Sequence, residues 1–299
     1  MEIYQLRTFV AVAETASFSL ASKRLGRTQS AVSQQVKLLE DELGVPLFVR
    51  KLREVSLTEA GNQFLPFARS IINEASNAKD HIAGLSGRVE GDLNIGVGFA
   101  VEPYIRKAIV EMMKLYPDVR IKVVYSQSHV LNQLLNDHKI DIAFTMNDSY
   151  ECEGIESKAV IPIHLCAIMP RTHQLSGKPM LTHDDLVSHY VIMPDAGQRV
   201  YSTIQNLIDF DLCKLRVRAV VSDADAILNL VEETGMMTFL PSGYIADRPS
   251  LKAVPVECLQ KEFMSNVHRK KDTYLKKSAE IFIKFIEDFA VPYYKAIEF

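Results

Sequence analysis

"SFSLASKRLGRTQSAVSQQVKLLEDELG" (residues 17–44) separates its charges by sign along the chain. Residues 17–38 contain four cations and no acid, and residues 40–42 are three consecutive acids. The whole chain has a formal net charge of only -3, so this basic stretch is a local feature. A local cationic surface on a near-neutral protein favours contact with a polyanion at one face rather than over the whole molecule.

Helices are predicted before and within this stretch. Apolar residues between Ile3 and Ala13 recur at spacings of three and four, which is typical of an amphipathic helix. Ser17 or Ser19 can cap a second, short helix, Gly26 can end it, and Thr28 can cap a third. The third helix has a buried stripe, formed by Val32, Val36, Leu39 and Leu43. A short helix, a turn with glycine and a longer helix are the helix-turn-helix pattern.

The opposite side of the third helix carries polar side chains that can hydrogen-bond to base edges and phosphates in a major groove. These candidate DNA-binding residues are Gln29, Ser30, Ser33, Gln34 and Lys37. An alternative interpretation is a solvated polar face on an ordinary helix. The following segment "VRKLREVSL" (residues 49–57) is predicted to form a hairpin with Arg50, Lys51 and Arg53 at its tip. A basic hairpin beside a recognition helix is a wing that can lie along phosphates or a minor groove.

The motifs of this region resemble the N-terminal domain of LysR-type transcriptional regulators, which are bacterial proteins. The run A-x-x-L-x-x-[ST]-Q-[SP]-A-[VL]-S-x-Q-[IV] is followed by LE-x-x-LG, LF-x-R and LT-x-AG, over about 60 residues. The resemblance implies a winged helix-turn-helix domain at residues 1–60 that contacts DNA through the five residues above and through Arg50 and Arg53. Many members have Pro at the position of Ser30 and Arg at that of Gln34, which leaves the target bases open.

A long helix with a heptad pattern is predicted for residues 61–90, together with a glycine-containing hinge at its end. The apolar positions, with spacings of 4, 3, 4, 3, 4 and 3, are Phe64, Ala68, Ile71, Ala75, Ala78, Ile82 and Leu85. This pattern favours a two-stranded coiled coil between subunits, with Phe64, Ile71, Ala75 and Ile82 as dimerisation residues. The alternative is a helix packed on its own domain. The family resemblance further implies a homotetramer assembled from such dimers.

Alternating strands and helices occupy the remaining two thirds of the chain, as in α/β proteins with parallel strands. We expect two lobes, one formed by residues 91–162 and 266–299 and the other by residues 163–265. The arrangement resembles the effector domain of the same family, which is similar to periplasmic solute-binding proteins. The resemblance implies that a small-molecule effector binds between the lobes and modulates DNA binding.

Ligands of such lobes bind at the carboxyl ends of the strands. The candidate effector-binding residues there are Phe99, Ala100, Val101, Ser126, Ser128, Asn147, Arg199 and Asp223. The first three indicate an apolar rim, and Ser126 or Ser128 can equally be a turn residue. Arg199 can clamp a carboxylate across the cleft, or it can instead cap the surface or pair with Asp195.

Other functional classes lack their signatures. The sequence has no Walker A, HExxH or GxSxG motif, and "GVGFAV" (residues 96–101) does not complete a dinucleotide fingerprint, so we expect no enzyme and no cofactor. The four cysteines include no CxxC pair, which disfavours a metal site, and Cys213 and Cys258 lie 45 residues apart, unlike the close pair of peroxide-sensing family members. No apolar run reaches the roughly 20 residues of a membrane span. We therefore expect a cytoplasmic protein without a signal peptide, and the alternative of an exported solute-binding protein leaves residues 1–60 without a use.

Overall fold

The structure is a computed structural model of the 299-residue chain. It describes residues 1–51, 54–85, 88–146, 154–196, 200–202, 204, 215–259 and 263–290. The chain divides into two compact units. The N-terminal unit comprises Met1–Arg88 with the short segments Asn136–Lys139 and Asp272–Lys276, and the C-terminal unit comprises Val89–Leu135, Ile140–Lys271 and Lys277–Phe299.

Three helices begin the N-terminal unit: α1 (Ile3–Thr15), α2 (Phe18–Leu25) and α3 (Gln29–Leu43). The Ser17 side chain accepts a hydrogen bond from the Leu20 N–H and caps α2, and the Thr28 hydroxyl accepts one from Ala31 and caps α3. Gly26 and Gly44 end α2 and α3 with φ angles of 62° and 73°. Because glycine has no Cβ, it adopts this left-handed conformation without strain.

A two-stranded antiparallel hairpin and a long helix complete this unit. The strands are β1 (Phe48–Lys51) and β2 (Glu54–Leu57), with Phe48 paired to Leu57. Helix α4 (Glu59–Leu85) follows directly and has 27 residues. The predicted hairpin and long helix are therefore present, and the hairpin tip residue Arg53 lies outside the described residues.

An aromatic cluster holds this unit together. The Phe9 ring is fully buried, and its centroid lies 5.4 Å from those of both Phe48 and Phe64. Phe64 and the buried Ala68 belong to α4, so the first turns of this helix are part of the core of the three-helix domain. A charged contact adds to the apolar one, because Arg69 Nη2 of α4 lies 3.2 Å from Glu14 Oε1 of α1.

The C-terminal unit contains two five-stranded sheets. The first sheet has the order β4-β3-β5-β12-β6, with strands β3 (Gly91–Val97), β4 (Val119–Tyr125), β5 (Ile142–Met146), β6 (Ile155–Ile163) and β12 (Phe263–Lys270). Strand β3 runs parallel to β4 and β5, whereas β12 runs antiparallel to β5 and β6. Its helices are α5 (Glu102–Leu115), α6 (Ser128–Asn136) and α9 (Lys277–Phe285).

The second sheet has the order β11-β7-β10-β8-β9. Its strands are β7 (Leu165–Pro170), β8 (Tyr190–Pro194), β9 (Arg216–Val221), β10 (Met237–Pro241) and β11 (Leu251–Val254), and its helices include α7 (His183–Ser188) and α8 (Ala224–Thr234). The chain leaves the first sheet after β6 and returns to it with β12. We found no helix among the described residues that is long and apolar enough to cross a bilayer.

Candidate DNA-binding surface and effector site

Helix α3 has one buried side and one exposed side. Val32, Val36 and Leu39 are fully buried against α1 and α2, which fixes the rotation of the helix. The candidate DNA-binding residues occupy the other side: Gln29, Ser30, Gln34 and Lys37 are exposed, and Ser33 is half-buried. Their donors and acceptors are therefore presented together along the N-terminal half of α3, and Lys37 adds a cation.

Two arginines that precede α3 in the chain, Arg24 and Arg27, contact side chains of α1. Arg24 Nη1 of α2 lies 2.7 Å from Glu14 Oε2, and the Arg27 guanidinium carbon lies 5.9 Å from the centre of the Tyr4 ring. Both side chains are exposed, so they keep a positive charge at the surface near the start of α3. Arg50 is in β1 on the wing, but the position of its side chain is not described, and Arg53 falls outside the described residues.

The dimerisation residues predicted on α4 divide into two groups. Phe64 packs against Phe9 in the core of its own domain, which differs from the expectation that it faces a second subunit. The physical reason is that α1 and β1 cover the first turns of α4. Farther along, Ala75 is half-buried, Ile71 is 37% exposed and Ile82 is 65% exposed, so the apolar stripe reaches the surface in the second half of the helix.

The candidate effector residues of the first sheet lie at the ends of β3 and β4. Phe99, Ala100 and Val101 form a single 3₁₀ turn after β3, and only Phe99 is exposed, because Ala100 and Val101 point into the core. The expected apolar rim therefore consists of one side chain. Ser126 and Ser128 are half-buried between β4 and α6. The Ser126 N–H donates to the Val97 carbonyl, which ties this loop to β3.

The candidates at the other strand ends are only partly described. Asp223 caps α8, since its Oδ1 accepts a hydrogen bond of 2.7 Å from the Ala226 N–H. Asn147 and Arg199 lie outside the described residues, and with them the expected carboxylate clamp.

The two sheets of the C-terminal unit are connected near these loops by residues that we did not single out in the sequence. The Tyr244 hydroxyl donates to the Phe99 carbonyl, and the buried Tyr104 hydroxyl is hydrogen-bonded to Ser242 and to the backbone of Gly243. Gly243 packs directly on the Tyr104 ring, because a Cβ there would lie only 2.8 Å from Tyr104 Cζ. A tyrosine after an "LPSG" turn is a weak sequence signal, and only the fold brings it to Phe99.

Ion pairs extend this connection. Asp247 Oδ2 lies 3.1 Å from Arg106 Nη2, and Asp247 Oδ1 lies 3.3 Å from Lys107 Nζ. Desolvation opposes ionisation of Asp247, but the hydrogen bonds and charges of Lys107 and Arg106 outweigh it and lower the pKa of this carboxyl. Helix α5 is thereby attached to the segment that follows β10.

Acidic and phenolic groups share this region. Desolvation raises the pKa of Glu102, the Arg106 charge lowers it and the Asp225 charge raises it, and the net direction is upward. Desolvation together with Glu102, Asp225 and Asp223 raises the pKa of Tyr244. Two of these carboxylates have a cationic partner, since Arg106 Nε lies 3.5 Å from Glu102 Oε1 and Arg248 Nη2 lies 3.0 Å from Asp225 Oδ1.

The two described cysteines differ in exposure, but the pKa of each thiol is raised. Burial raises the pKa of the fully buried Cys166 thiol well above its usual range, and partial burial raises that of Cys258, which is exposed in part. Because the thiolate is the reactive form, a raised pKa reduces reactivity. Cys152 and Cys213 lie outside the described residues. We found no group of three or more possible metal ligands in the part of the chain that is described.

Two family models match the chain. The model described as "Bacterial regulatory helix-turn-helix protein, lysR family" matches residues 3–62, and the model "LysR substrate binding domain" matches residues 86–290. The chain belongs to the LysR family. As a LysR-family member it is a DNA-binding transcriptional regulator with an N-terminal winged helix-turn-helix domain and a C-terminal effector-binding domain, which confirms the fold and the function predicted from the sequence.

Individual proteins similar to this chain are named as transcriptional regulators. The LysR-family chain is 34% identical over 213 residues to the HTH-type transcriptional regulator ShiR of Corynebacterium glutamicum, an alignment that covers 69% of this chain and 71% of ShiR. It is 26% identical over 230 residues to the HTH-type transcriptional activator CmpR of Synechocystis, with 77% and 75% covered. Both relatives are named as regulators of transcription rather than as enzymes.

Solved structures share the fold. A mutant of C. glutamicum OxyR with bound hydrogen peroxide matches with a TM-score of 0.60 and 25% identity, covering 99% of this chain and 95% of that chain. Full-length CbnR in complex with its target DNA matches with a TM-score of 0.64 and 22% identity, covering 96% and 99%. The second likeness concerns the fold alone.

Proposed function

We propose that this LysR-family regulator reads DNA through the exposed side of α3, with Gln29, Ser30, Ser33, Gln34 and Lys37 in the major groove and with Arg50 and Arg53 of the wing on the backbone. The observation that supports this proposal most directly is the orientation of α3. Its three fully buried side chains leave the polar side chains of residues 29–37 at the surface, and the acids Glu40, Asp41 and Glu42 follow only at the C-terminal end of the helix. Amide and hydroxyl groups can discriminate base edges there, whereas Lys37 supplies a contact to phosphate.

A binding assay with single substitutions tests this assignment. A duplex selected by the wild-type protein from a randomised library serves as the probe. Lys37→Ala should weaken binding to all duplexes and reduce the slope of log affinity against log salt by about one per contact, since one cation–phosphate contact is lost. Gln34→Ala should cost about 1–3 kcal/mol on the selected duplex and little on others. Gln63→Ala removes an exposed glutamine side chain from α4, outside the proposed DNA-contacting residues, and as the control it should leave binding unchanged.

We further propose that the working form is a homodimer joined by the exposed second half of α4, with Ile71, Ala75 and Ile82 at the seam. Phe64 supports this helix from within its own subunit. Two DNA-binding domains on one assembly can contact two half-sites on a duplex, which raises affinity and imposes two-fold symmetry on the target. The domain boundaries predicted from the sequence are 1–60, 61–90, 91–162 with 266–299, and 163–265; because β6 ends at Ile163 and β12 begins at Phe263 in the first sheet, we propose 91–163 with 263–299 for the first lobe and 164–262 for the second. We also propose a cytoplasmic location and a tetramer formed from two dimers.

The effector is proposed to bind between the two lobes of the C-terminal unit, near Phe99, Ser126, Ser128 and Asp223. Supporting observations are the exposed Phe99 ring and the tyrosine and ion-pair contacts between the two sheets at this place. A ligand that fits one arrangement of the lobes better than another shifts the population between them. The carboxylates Glu102 and Asp225 are paired with Arg106 and Arg248, and we propose Arg199 as the cation that would bind an acidic effector.

A thermal-shift screen with small acids, amines and neutral aromatic compounds separates these cases. Stabilisation by an acid that is lost in Arg199→Ala supports the carboxylate clamp. Stabilisation by amines or neutral compounds alone, unchanged in Arg199→Ala, rejects the clamp and leaves Phe99 and its neighbours as the contact surface.

A further inference from the structure

The carboxylate of Glu40 connects the end of α3 to the base of the wing. Its Oε1 atom accepts hydrogen bonds from two successive backbone N–H groups, that of Leu47 at 2.8 Å and that of Phe48 at 3.1 Å. Leu47 is 1% exposed and Phe48 is 5% exposed, so little water is available to either residue. A buried N–H group that loses its acceptor is costly, which makes this contact a strong local constraint.

The start of α4 holds the same loop from the other side. The Thr58 N–H donates to the Leu47 carbonyl at 2.9 Å, and the Thr58 hydroxyl donates to the Pro46 carbonyl at 2.8 Å. The same hydroxyl accepts from the Gly61 N–H and so caps α4. A Cβ at Gly61 would overlap the Leu47 carbonyl oxygen, so the helix approaches the loop as closely as glycine allows. Residues 46–48 are thus fixed between two helices.

We infer that Glu40 is a positioning residue for DNA binding, which sets the orientation of the wing relative to α3 without itself touching DNA. The hairpin is only four residues long on each side, so the direction in which its tip points depends on how its base is attached. Because the attachment uses two hydrogen bonds to one oxygen of α3, it ties the wing to the helix that carries Gln34 and Lys37. This inference rests on the proposed function, since it requires that α3 and the wing contact one duplex.

Charge and position predict opposite effects at this site. Glu40 is an acid close to a surface proposed to bind phosphates, so its removal relieves repulsion and, by charge alone, should tighten binding. Loss of the two hydrogen bonds releases the wing and should weaken binding. The sign of the change in DNA affinity therefore distinguishes the two roles.

Four substitutions in the full-length protein separate these effects. Glu40→Ala removes charge and acceptor, Glu40→Asp keeps the charge but shortens the side chain by one methylene group, and Glu40→Gln removes the charge and keeps Oε1. Asp41→Ala is the matched control, since it removes an exposed acid from the adjacent position. Affinity for the selected duplex and its salt dependence are measured together with thermal unfolding of each variant.

Glu40→Ala and Glu40→Asp should weaken binding by about tenfold and reduce the salt slope, because the wing contacts to phosphate are lost. Glu40→Gln and Asp41→Ala should bind as the wild type does or more tightly. In the background Arg50→Ala with Arg53→Ala, Glu40→Asp should have no further effect, since it acts through the wing. If Glu40→Asp merely destabilised the domain, it would lower the unfolding temperature and would still weaken DNA binding in the Arg50→Ala, Arg53→Ala background.

The inference is wrong if Glu40→Asp binds DNA as the wild type does, or if Glu40→Ala binds DNA more tightly than the wild type. It is also wrong if the loss of affinity caused by Glu40→Asp adds fully to the loss caused by the wing substitutions. If the DNA-binding domains of Glu40→Ala and Glu40→Asp are unfolded at the assay temperature, Glu40→Gln decides, and binding weaker than that of Asp41→Ala contradicts the role assigned to Oε1. Failure of the proposed function looks different, because Lys37→Ala and the wing variants would then have no effect on binding.

Discussion

The exposed stripe on the second half of α4 gives a quantitative prediction for assembly. Ile82 is 65% exposed and Ile71 is 37% exposed in the single chain. Complete burial of an isoleucine side chain contributes about 1.5–3 kcal/mol relative to its exposed state. The area still available at Ile82 and Ile71 therefore contributes about 3–6 kcal/mol when both residues of both subunits are buried at a seam.

Replacing both residues removes this contribution and places carboxylates at the seam. The double variant Ile71→Asp with Ile82→Asp should raise the dimer dissociation constant by about a hundredfold to ten-thousandfold, since each 1.4 kcal/mol changes it tenfold. Ile82→Asp alone is the cleaner variant, because Ile71 is already covered in part by its own subunit. Affinity for the selected duplex should fall with dimerisation, since only paired domains can contact two half-sites.

Sedimentation velocity over a range of protein concentrations measures this change directly. Lys79→Asp introduces the same side chain at an exposed position of α4 outside the stripe, and we expect it to sediment as the wild type does. A double variant that also sediments as the wild type does, with an unchanged unfolding temperature, would refute the coiled-coil assignment.

Three further predictions follow from individual contacts. Phe9→Ala should destabilise the DNA-binding domain by about 3–5 kcal/mol, because the ring is fully buried between Phe48 and Phe64; a loss below about 1 kcal/mol in denaturant unfolding would contradict this packing. The folded state holds the Glu102 proton more tightly than the unfolded state, so the stability from this carboxyl is present at low pH and is lost as pH rises from 4.5 through the raised pKa. Glu102→Gln should therefore raise the unfolding temperature at neutral pH and flatten its dependence on pH. A lower unfolding temperature would show that the attraction between Glu102 and Arg106 outweighs the desolvation of Glu102. Cys166 should resist alkylation until the protein unfolds, whereas Cys258 should react in the folded state at a rate that increases with pH; mass spectrometry of the labelled peptides distinguishes the two.

The N-terminal region could be predicted from local patterns because its determinants are local. Ser17, Thr28 and Gly26 act on residues at most five positions away, and the buried stripe of α3 follows from helical periodicity. Phe64 shows the limit of this reasoning. A heptad pattern indicates that one side of a helix is covered, but it does not indicate which residues cover it. In the structure Phe64 is covered in part by Phe9 of the same chain.

The effector region could be predicted only in outline. Alternating strands and helices indicate where strand ends lie, but they do not indicate which way a side chain after a strand points. Ala100 and Val101 turn into the core because Phe99–Val101 forms a 3₁₀ turn, and only Phe99 stays exposed. Tyr244 reaches the Phe99 carbonyl across 145 residues of sequence, a contact that no local pattern encodes.

Selection of duplexes from a randomised library by the wild-type protein and by Gln34→Ala tests the central claim that α3 reads the bases. The wild type should enrich two half-sites related by two-fold symmetry and separated by whole turns of the duplex. Gln34→Ala should retain this spacing and lose preference at one base pair in each half-site, since one side chain no longer reads it. Identical preferences for both proteins, or an enrichment without half-sites, would contradict the account.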